Sequence, residues 1–225
     1  MKFCGIQKTS LLDYPNRVSS VLFTPGCNLR CPFCHNWRIV IDPKPPFLNE
    51  EITLKMLGER KKYVDSVVVT GGEPTIHKEL PRFLKKLKEK GFATKLDTNG
   101  LDSRTLEACL PHLDYVALDV KTTPQKYALL GTEETTELME TAEMLKTGKV
   151  EYEFRTTVVP GFVDPCDLQV MCDLAKGAKI WALQQFIPGD TLDCKLSTVN
   201  PYTPETFSKY AETIKDYAEK IVLRI

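Results

Sequence analysis

Short apolar runs rich in β-branched residues alternate with amphipathic helical stretches along the chain, and this alternation limits the fold more than any other feature. The runs fall at residues 18–24, 66–70, 93–98, 115–120, 152–159 and 180–186. Helical patterns are predicted between them over 50–63, 78–90, 103–110, 135–147 and 167–175, then over 204–218, ahead of a short strand at 221–225. A strand that returns parallel to its predecessor needs a long crossover, which a helix supplies, so the alternation predicts a parallel sheet. Six such units suit 225 residues, whereas a closed eight-unit barrel takes about 250. The expectation is an α/β fold, a partial (β/α)6 barrel with parallel strands, in a single domain spanning residues 1–225.

The punctuation agrees with this layout. Asp102 or Ser103 can cap the helix after Gly100, and Thr203 can cap one whose first turn holds Pro204. Gly91 and Gly148 stand where helices should stop. Each apolar run ends in a polar turn: the cysteines after the first, Gly71-Gly72-Glu73-Pro74 after the second, Asp97-Thr98-Asn99-Gly100 at the third, Asp119-Val120-Lys121 at the fourth, Pro160-Gly161 after the fifth and Gln184-Gln185-Phe186 at the sixth. Parallel α/β folds build their sites at that edge.

Lysine plus arginine equals aspartate plus glutamate at 30 each, so no overall basic charge points to nucleic acid. The densest basic run, Lys85 to Lys90, reads as the solvated face of a helix. Residues 1–10 lack the apolar core of a signal peptide, and no apolar run reaches the length of a membrane span. The expectation is a soluble, cytoplasmic protein with neither a membrane nor a nucleic-acid partner. In a reducing cytosol the eight cysteines read as metal ligands or buried thiols rather than disulfides.

Three cysteines cluster. Residues 26–36 read Gly-Cys-Asn-Leu-Arg-Cys-Pro-Phe-Cys-His-Asn, placing Cys27, Cys31 and Cys34 in the spacing C-x3-C-x2-C. A loop of this kind can hold three corners of a cubane [4Fe–4S] cluster, whose irons take thiolate sulfur, and it leaves one iron without a protein ligand. A Cys3His zinc site using His35 is the competing reading, in which adjacent Cys34 and His35 make an awkward tetrahedral pair. Cys4, Cys109, Cys166, Cys172 and Cys194 lack cluster spacing and read as small buried thiols.

Together these segments resemble the radical-SAM superfamily and, more narrowly, the activating enzymes of glycyl-radical enzymes. The likeness is strongest to anaerobic ribonucleoside-triphosphate reductase activating proteins. It is carried by residues 12–15, 27–36, 71–74, 96–100, 118–121, 155–161 and 184–189. The resemblance implies that the cluster reductively cleaves S-adenosylmethionine (SAM) to a 5′-deoxyadenosyl radical, which takes hydrogen from a glycine of a partner enzyme. It implies catalytic roles for Cys27, Cys31 and Cys34 and cofactor contacts from Phe33, His35, Gly71, Gly72, Glu73, Asp97, Lys121, Arg155 and Gln185. The electron donor would be a flavodoxin or a ferredoxin.

Two carboxylates ending neighbouring strands need a cation or a proton between them. In pyruvate formate-lyase activases the matching positions hold a monovalent cation, which implies Asp97, Thr98 and Asp119 as ligands here, with the Ala117 carbonyl beside them. The alternative is that Asp97 and Asn99 merely bond the backbone of their own turn. This chain departs from those activases in having no histidine after His112, so Gln185 or Ile187 would replace their C-terminal histidine. His77 reads as the start of a helix. Two other functions compete: a small-molecule radical-SAM enzyme such as a 7-carboxy-7-deazaguanine synthase, and a non-enzymatic zinc module. The aspartate-bearing turns favour the activase.

Overall fold

The computed structural model describes every residue from Met1 to Ile225. The chain forms two compact units: Met1–Asn28 with Asn36–Thr98 and Asp102–Val116, and Leu29–His35 with Asn99–Leu101 and Ala117–Ile225. The architecture is α/β with mostly parallel strand pairing, as the alternation predicts.

In the first unit, β1 (Gly5–Ser10), β2 (Ser19–Thr24), β3 (Ser66–Gly71) and β4 (Ala93–Thr98) hydrogen-bond in that order. β2 and β3 run parallel from Ser19↔Ser66 to Thr24↔Gly71, and β3 and β4 from Ser66↔Ala93 to Val69↔Leu96. β1 adds antiparallel to β2 and was not among the predicted strands. Its sequence, GIQKTS, has no apolar alternation because it is an edge strand with Gln7, Lys8 and Thr9 in solvent. Lys2–Phe3 and Leu48–Asn49 form a separate antiparallel pair.

Besides a short helix at Trp37–Ile41, this unit holds α1 (Glu50–Arg60), α2 (Leu80–Glu89) and α3 (Ser103–Cys109). Leu80, Phe83, Leu84 and Leu87 of α2 are buried at helical spacing while Lys85 and Lys88 face water, the arrangement expected for this basic run. Each such side chain contributes about 1.5–3 kcal/mol on burial. Asn49 caps α1 through a 2.8 Å bond from the Ile52 N–H, and Asp102, the first of the two predicted candidates, caps α3 through one of 2.8 Å from the Thr105 N–H. Tyr14, Val21, Val68 and Tyr115 close one face of the strands, with Phe23 and Ala93 packed against them. Lys95, level with Val68 in the parallel register, continues that face toward the strand ends.

β5 (Tyr115–Asp119) starts in the first unit and ends in the second. There the order is β5, β6 (Glu151–Val158), β7 (Ala178–Gln185) and β8 (Ala218–Arg224). β6 and β7 are parallel from Phe154↔Trp181 to Val158↔Gln185, and β7 and β8 from Ala178↔Ala218 to Gln184↔Arg224. The accompanying helices are α4 (Thr136–Thr147), α5 (Pro165–Ala175) and α6 (Pro204–Ile214). Two boundaries differ from prediction for one reason. β8 starts at Ala218, opposite Ala178, so α6 stops at Ile214 and the last strand is longer than residues 221–225.

The pairing sorts β6 by face. Tyr152, Phe154 and Thr156 are buried on one side, where the Trp181 indole donates to Thr156 Oγ1 at 3.0 Å. Glu153, Arg155 and Thr157 alternate onto the other. There Arg224 reaches back to the buried Glu153 carboxylate with two bonds, 2.6 and 3.0 Å. No helix is long and apolar enough to cross a membrane.

Candidate active site

The first unit carries Cys27 and the glycine turn. Gly71-Gly72 follows three fully buried valines, Val67 to Val69, and turns directly beneath the start of the cysteine loop. The Gly72 N–H donates to the Thr24 carbonyl at 2.9 Å, and the Glu73 N–H to the Gly26 carbonyl at 2.8 Å. A Cβ on Gly72 would stand 1.7 Å from that Gly26 oxygen. Gly71 has φ +109°, and a Cβ there would meet the Thr24 nitrogen at 2.6 Å. The double glycine is thus demanded by backbone packing against the residue that precedes Cys27. Two side chains tighten the junction: Asn36 Nδ2 donates to the Gly71 carbonyl at 2.9 Å, and a His77 ring nitrogen lies 2.9 Å from the Pro25 carbonyl. His77 ends a short 3-10 turn, Pro74–Ile76, just ahead of α2.

Glu73 is buried and locked. Its Oε1 accepts from the Thr75 N–H at 3.0 Å, the Thr75 hydroxyl at 2.7 Å and the Thr98 hydroxyl at 2.7 Å. Thr98 therefore reaches from the end of β4 to the glycine turn. Asp97, its neighbour, is bonded by the Lys95 ammonium, and both are almost wholly enclosed. Asn99, in the second unit, accepts from the Leu101 N–H at 3.0 Å, the local turn bond proposed as an alternative.

The second unit carries Cys31 and Cys34. The Cys34 N–H donates to the Cys31 carbonyl at 3.0 Å, forming a tight turn between them. Backbone bonds anchor that turn from afar: Leu192 N–H to the Cys34 carbonyl, Asp193 N–H to the Pro32 carbonyl, and Arg30 N–H to the Leu130 carbonyl. Cys31 is buried, Cys34 half-buried, and none of the eight cysteines is in a disulfide; of the five expected to be buried, Cys109 and Cys172 are, but Cys4 is half-buried and Cys166 and Cys194 are exposed. Phe33 is buried edge-on against Phe162, ring centroids 5.2 Å apart, and the His35 ring lies 6.3 Å from Phe186.

Asp119, at the end of β5, gathers two cations. Arg155 Nε donates to its Oδ1 at 2.7 Å and Lys121 Nζ to its Oδ2 at 3.1 Å. Burial opposes ionisation of Asp119, but Arg155 first and Lys121 second overcome it, holding the carboxyl well below the usual range. Burial would also lower the Lys121 amine. The Asp119 carboxylate foremost, then the Cys31 sulfur and Tyr127, raise it instead. Lys121 therefore stays cationic within the field of Cys31.

Gln185 donates through Nε2 to the Tyr202 carbonyl at 3.1 Å, and its Oε1 is buried without a hydrogen-bond partner. Arg155 is level with Ala182 and Val158 with Gln185, so the alternation puts Gln184, not Gln185, on the Arg155 face. Sequence reasoning passed over Gln184 and Lys95. Period-two counting from Asp97 puts Lys95 on the same face of its strand, whereas the face of Gln184 follows only from the β6–β7 register.

The radical SAM superfamily's sequence pattern matches residues 21–175. A Methanocaldococcus jannaschii protein, provisionally named a glycyl-radical enzyme activating enzyme, is 32% identical over 231 residues, covering 98% of this chain and 94% of its own. The pyruvate formate-lyase-activating enzyme of Staphylococcus aureus is 32% identical over 179 residues, covering 72% and 70%. Among solved structures, Streptococcus suis SuiB bound to precursor peptide SuiA superposes with a TM-score of 0.69 at 15% identity, over 90% of this chain; the chain spans 47% of that one. The chain belongs to the radical SAM superfamily, and its fold is the partial-barrel α/β fold of these enzymes. Such enzymes work with a [4Fe–4S] cluster and SAM. Within the superfamily, the near end-to-end match puts it with the activating enzymes of glycyl-radical enzymes.

Proposed function

We propose that this chain installs a radical on a glycine of a partner glycyl-radical enzyme, with anaerobic ribonucleoside-triphosphate reductase as the partner class. The observation that carries the reading is the match along 98% of the chain to an activating-enzyme relative. In this reading residues 1–225 work as a single cytoplasmic domain, and a flavodoxin or ferredoxin supplies the electron. Cys27, Cys31 and Cys34 hold the cluster. The donor set suits it: three thiols on one short loop, none in a disulfide, with the Lys121 ammonium near Cys31. When bound, the cluster and SAM supply a one-electron reductive cleavage that yields a 5′-deoxyadenosyl radical.

The chain's own groups orient and neutralise. Lys121 keeps its proton at Nζ and offers a cation to a carboxylate, while Asp119 and Arg155 restrain it. Gly71 and Gly72 set the height of the cysteine loop, and Glu73 pins the turn to Thr98. Phe33, held edge-on by Phe162, is the aromatic that would lie beside an adenine. Transfer of one hydrogen atom from the glycine Cα to the 5′-carbon would leave the unpaired electron on the glycine.

The test is anaerobic reconstitution with the candidate reductase, SAM and a reductant. A glycyl radical by electron paramagnetic resonance is expected, and deuterium from a labelled glycine should appear in 5′-deoxyadenosine. Turnover on a pterin-like compound, with no label from any glycyl-radical enzyme of the same cell, would replace this reading with the small-molecule one.

A further inference from the structure

We infer that Lys95 supplies, from within the chain, the positive charge that the likeness to pyruvate formate-lyase activases would assign to a bound monovalent cation, and that this protein binds SAM without such an ion. The inference rests on radical-SAM membership and is independent of which partner is activated.

The two carboxylates expected to ligate the ion already have cationic partners. Asp97 is bonded by Lys95 Nζ on the same strand. Asp119 has one oxygen on Arg155 and the other on Lys121. Thr98 donates its hydroxyl hydrogen to Glu73 and brings no charge of its own. Asp97 is thus matched by Lys95, and Asp119 by Lys121 and Arg155. Neither carboxylate keeps surplus negative potential to hold a sodium or potassium ion.

Lys95 is built for the role. Its side chain is only 2% exposed and that of Asp97 7%. A lone ammonium in such a place is strongly disfavoured, and so is a lone carboxylate. Each satisfies the other, and the Tyr115 ring, 5.9 Å from the amine, offers its π face as well. An alkylammonium carries the charge of potassium at a similar size. Tethered to the same strand, it is already at the carboxylate, whereas an ion from solution must be captured and immobilised. The residues therefore do not fit a monovalent cation beside Asp97, because an ammonium occupies the carboxylate.

The test begins with cluster-loaded wild-type protein in choline buffer stripped of sodium and potassium, with SAM affinity read by equilibrium dialysis. Adding either ion should change the dissociation constant by less than about twofold, and no thallium-205 resonance of a bound ion should appear when thallium(I) is the probe. A rise in affinity of about tenfold or more on adding potassium or sodium overturns the inference. Lys95→Met removes the charge at similar length. It should weaken SAM binding by about tenfold in choline, recover part of that loss with potassium or sodium, and acquire a thallium-205 signal. Lys95→Arg should keep wild-type affinity in choline. Weakened binding in Lys95→Met that no ion restores, with no thallium signal, leaves Lys95 as a packing residue and overturns the proposal. If Lys95→Met does not fold, the wild-type titration decides alone.

Discussion

Gly72→Ala tests the claim that backbone packing, and not turn chemistry alone, demands the double glycine. The new methyl carbon would sit 1.7 Å from the Gly26 carbonyl oxygen and 2.7 Å from its carbon. Neither atom can yield without cost, since that oxygen accepts the Glu73 N–H at 2.8 Å and the Gly72 N–H is held by Thr24 at 2.9 Å. Overpacking of this kind costs about 1–3 kcal/mol, and two weakened backbone bonds add about 1 kcal/mol each. A total of about 3–5 kcal/mol, at about 2–4 °C per kcal/mol for a chain of this size, lowers Tm by roughly 6–20 °C. Because Gly26 directly precedes Cys27, iron retained after anaerobic reconstitution should fall in parallel. The assay is thermal unfolding of the reduced apoprotein followed by iron and sulfide analysis. Gly58→Ala is the control: that glycine is exposed in α1 with nothing within 4 Å of an added Cβ, so the change should stabilise by up to about 1 kcal/mol. A Gly72→Ala protein with wild-type Tm and a full cluster would refute the argument.

Two further outcomes are expected. Burial pushes the Cys109 thiol up to about 12 and that of Cys172 to about 11, with Asp102 and Asp173 adding to the respective shifts, whereas Cys166 and Cys194 are exposed. Iodoacetamide at pH 8 should therefore modify Cys109 and Cys172 at least about a hundredfold more slowly than Cys166 and Cys194 until the protein is denatured; comparable rates by peptide mass mapping would contradict the burial. The Asp119 carboxyl is depressed in the folded state, so its stabilisation is present above the unfolded value of about 4 and is lost as pH falls below it. Asp119→Asn should cost about 1–3 kcal/mol at pH 7, discounted from a fully buried pair because a quarter of the side chain is exposed, and should flatten the acid limb of stability between pH 3 and 5 in urea titrations. Parallel wild-type and variant curves would remove Asp119 as the source of that limb.

Much of this molecule was legible before any coordinates, wherever the signal is local. Strand–helix alternation shows because side-chain periods of two and 3.6 residues are written along the chain. Asp102 and Thr203 announce helix starts because a cap bonds N–H groups only three residues away. The proposal that the three thiols hold a cluster is also local, because their loop is short enough for spacing to imply proximity. β1 stayed hidden because an edge strand need not alternate.

Other features depend on which residues meet across the sheet. The Glu153–Arg224 pair joins residues 71 apart, and nothing near either one names the other. Whether Gln184 or Gln185 shares a face with Arg155 rests on the β6–β7 register, since a slip of one residue exchanges the faces. The partner of Asp97 is only two residues away, yet it took the packing around Tyr115 to show that the Lys95 amine is enclosed with the carboxylate rather than extended into water. Which groups exist, and which elements carry them, can be read along the chain. Which charges neutralise one another emerges only in three dimensions, because ion pairing depends on separation and burial in space, and a sequence records neither.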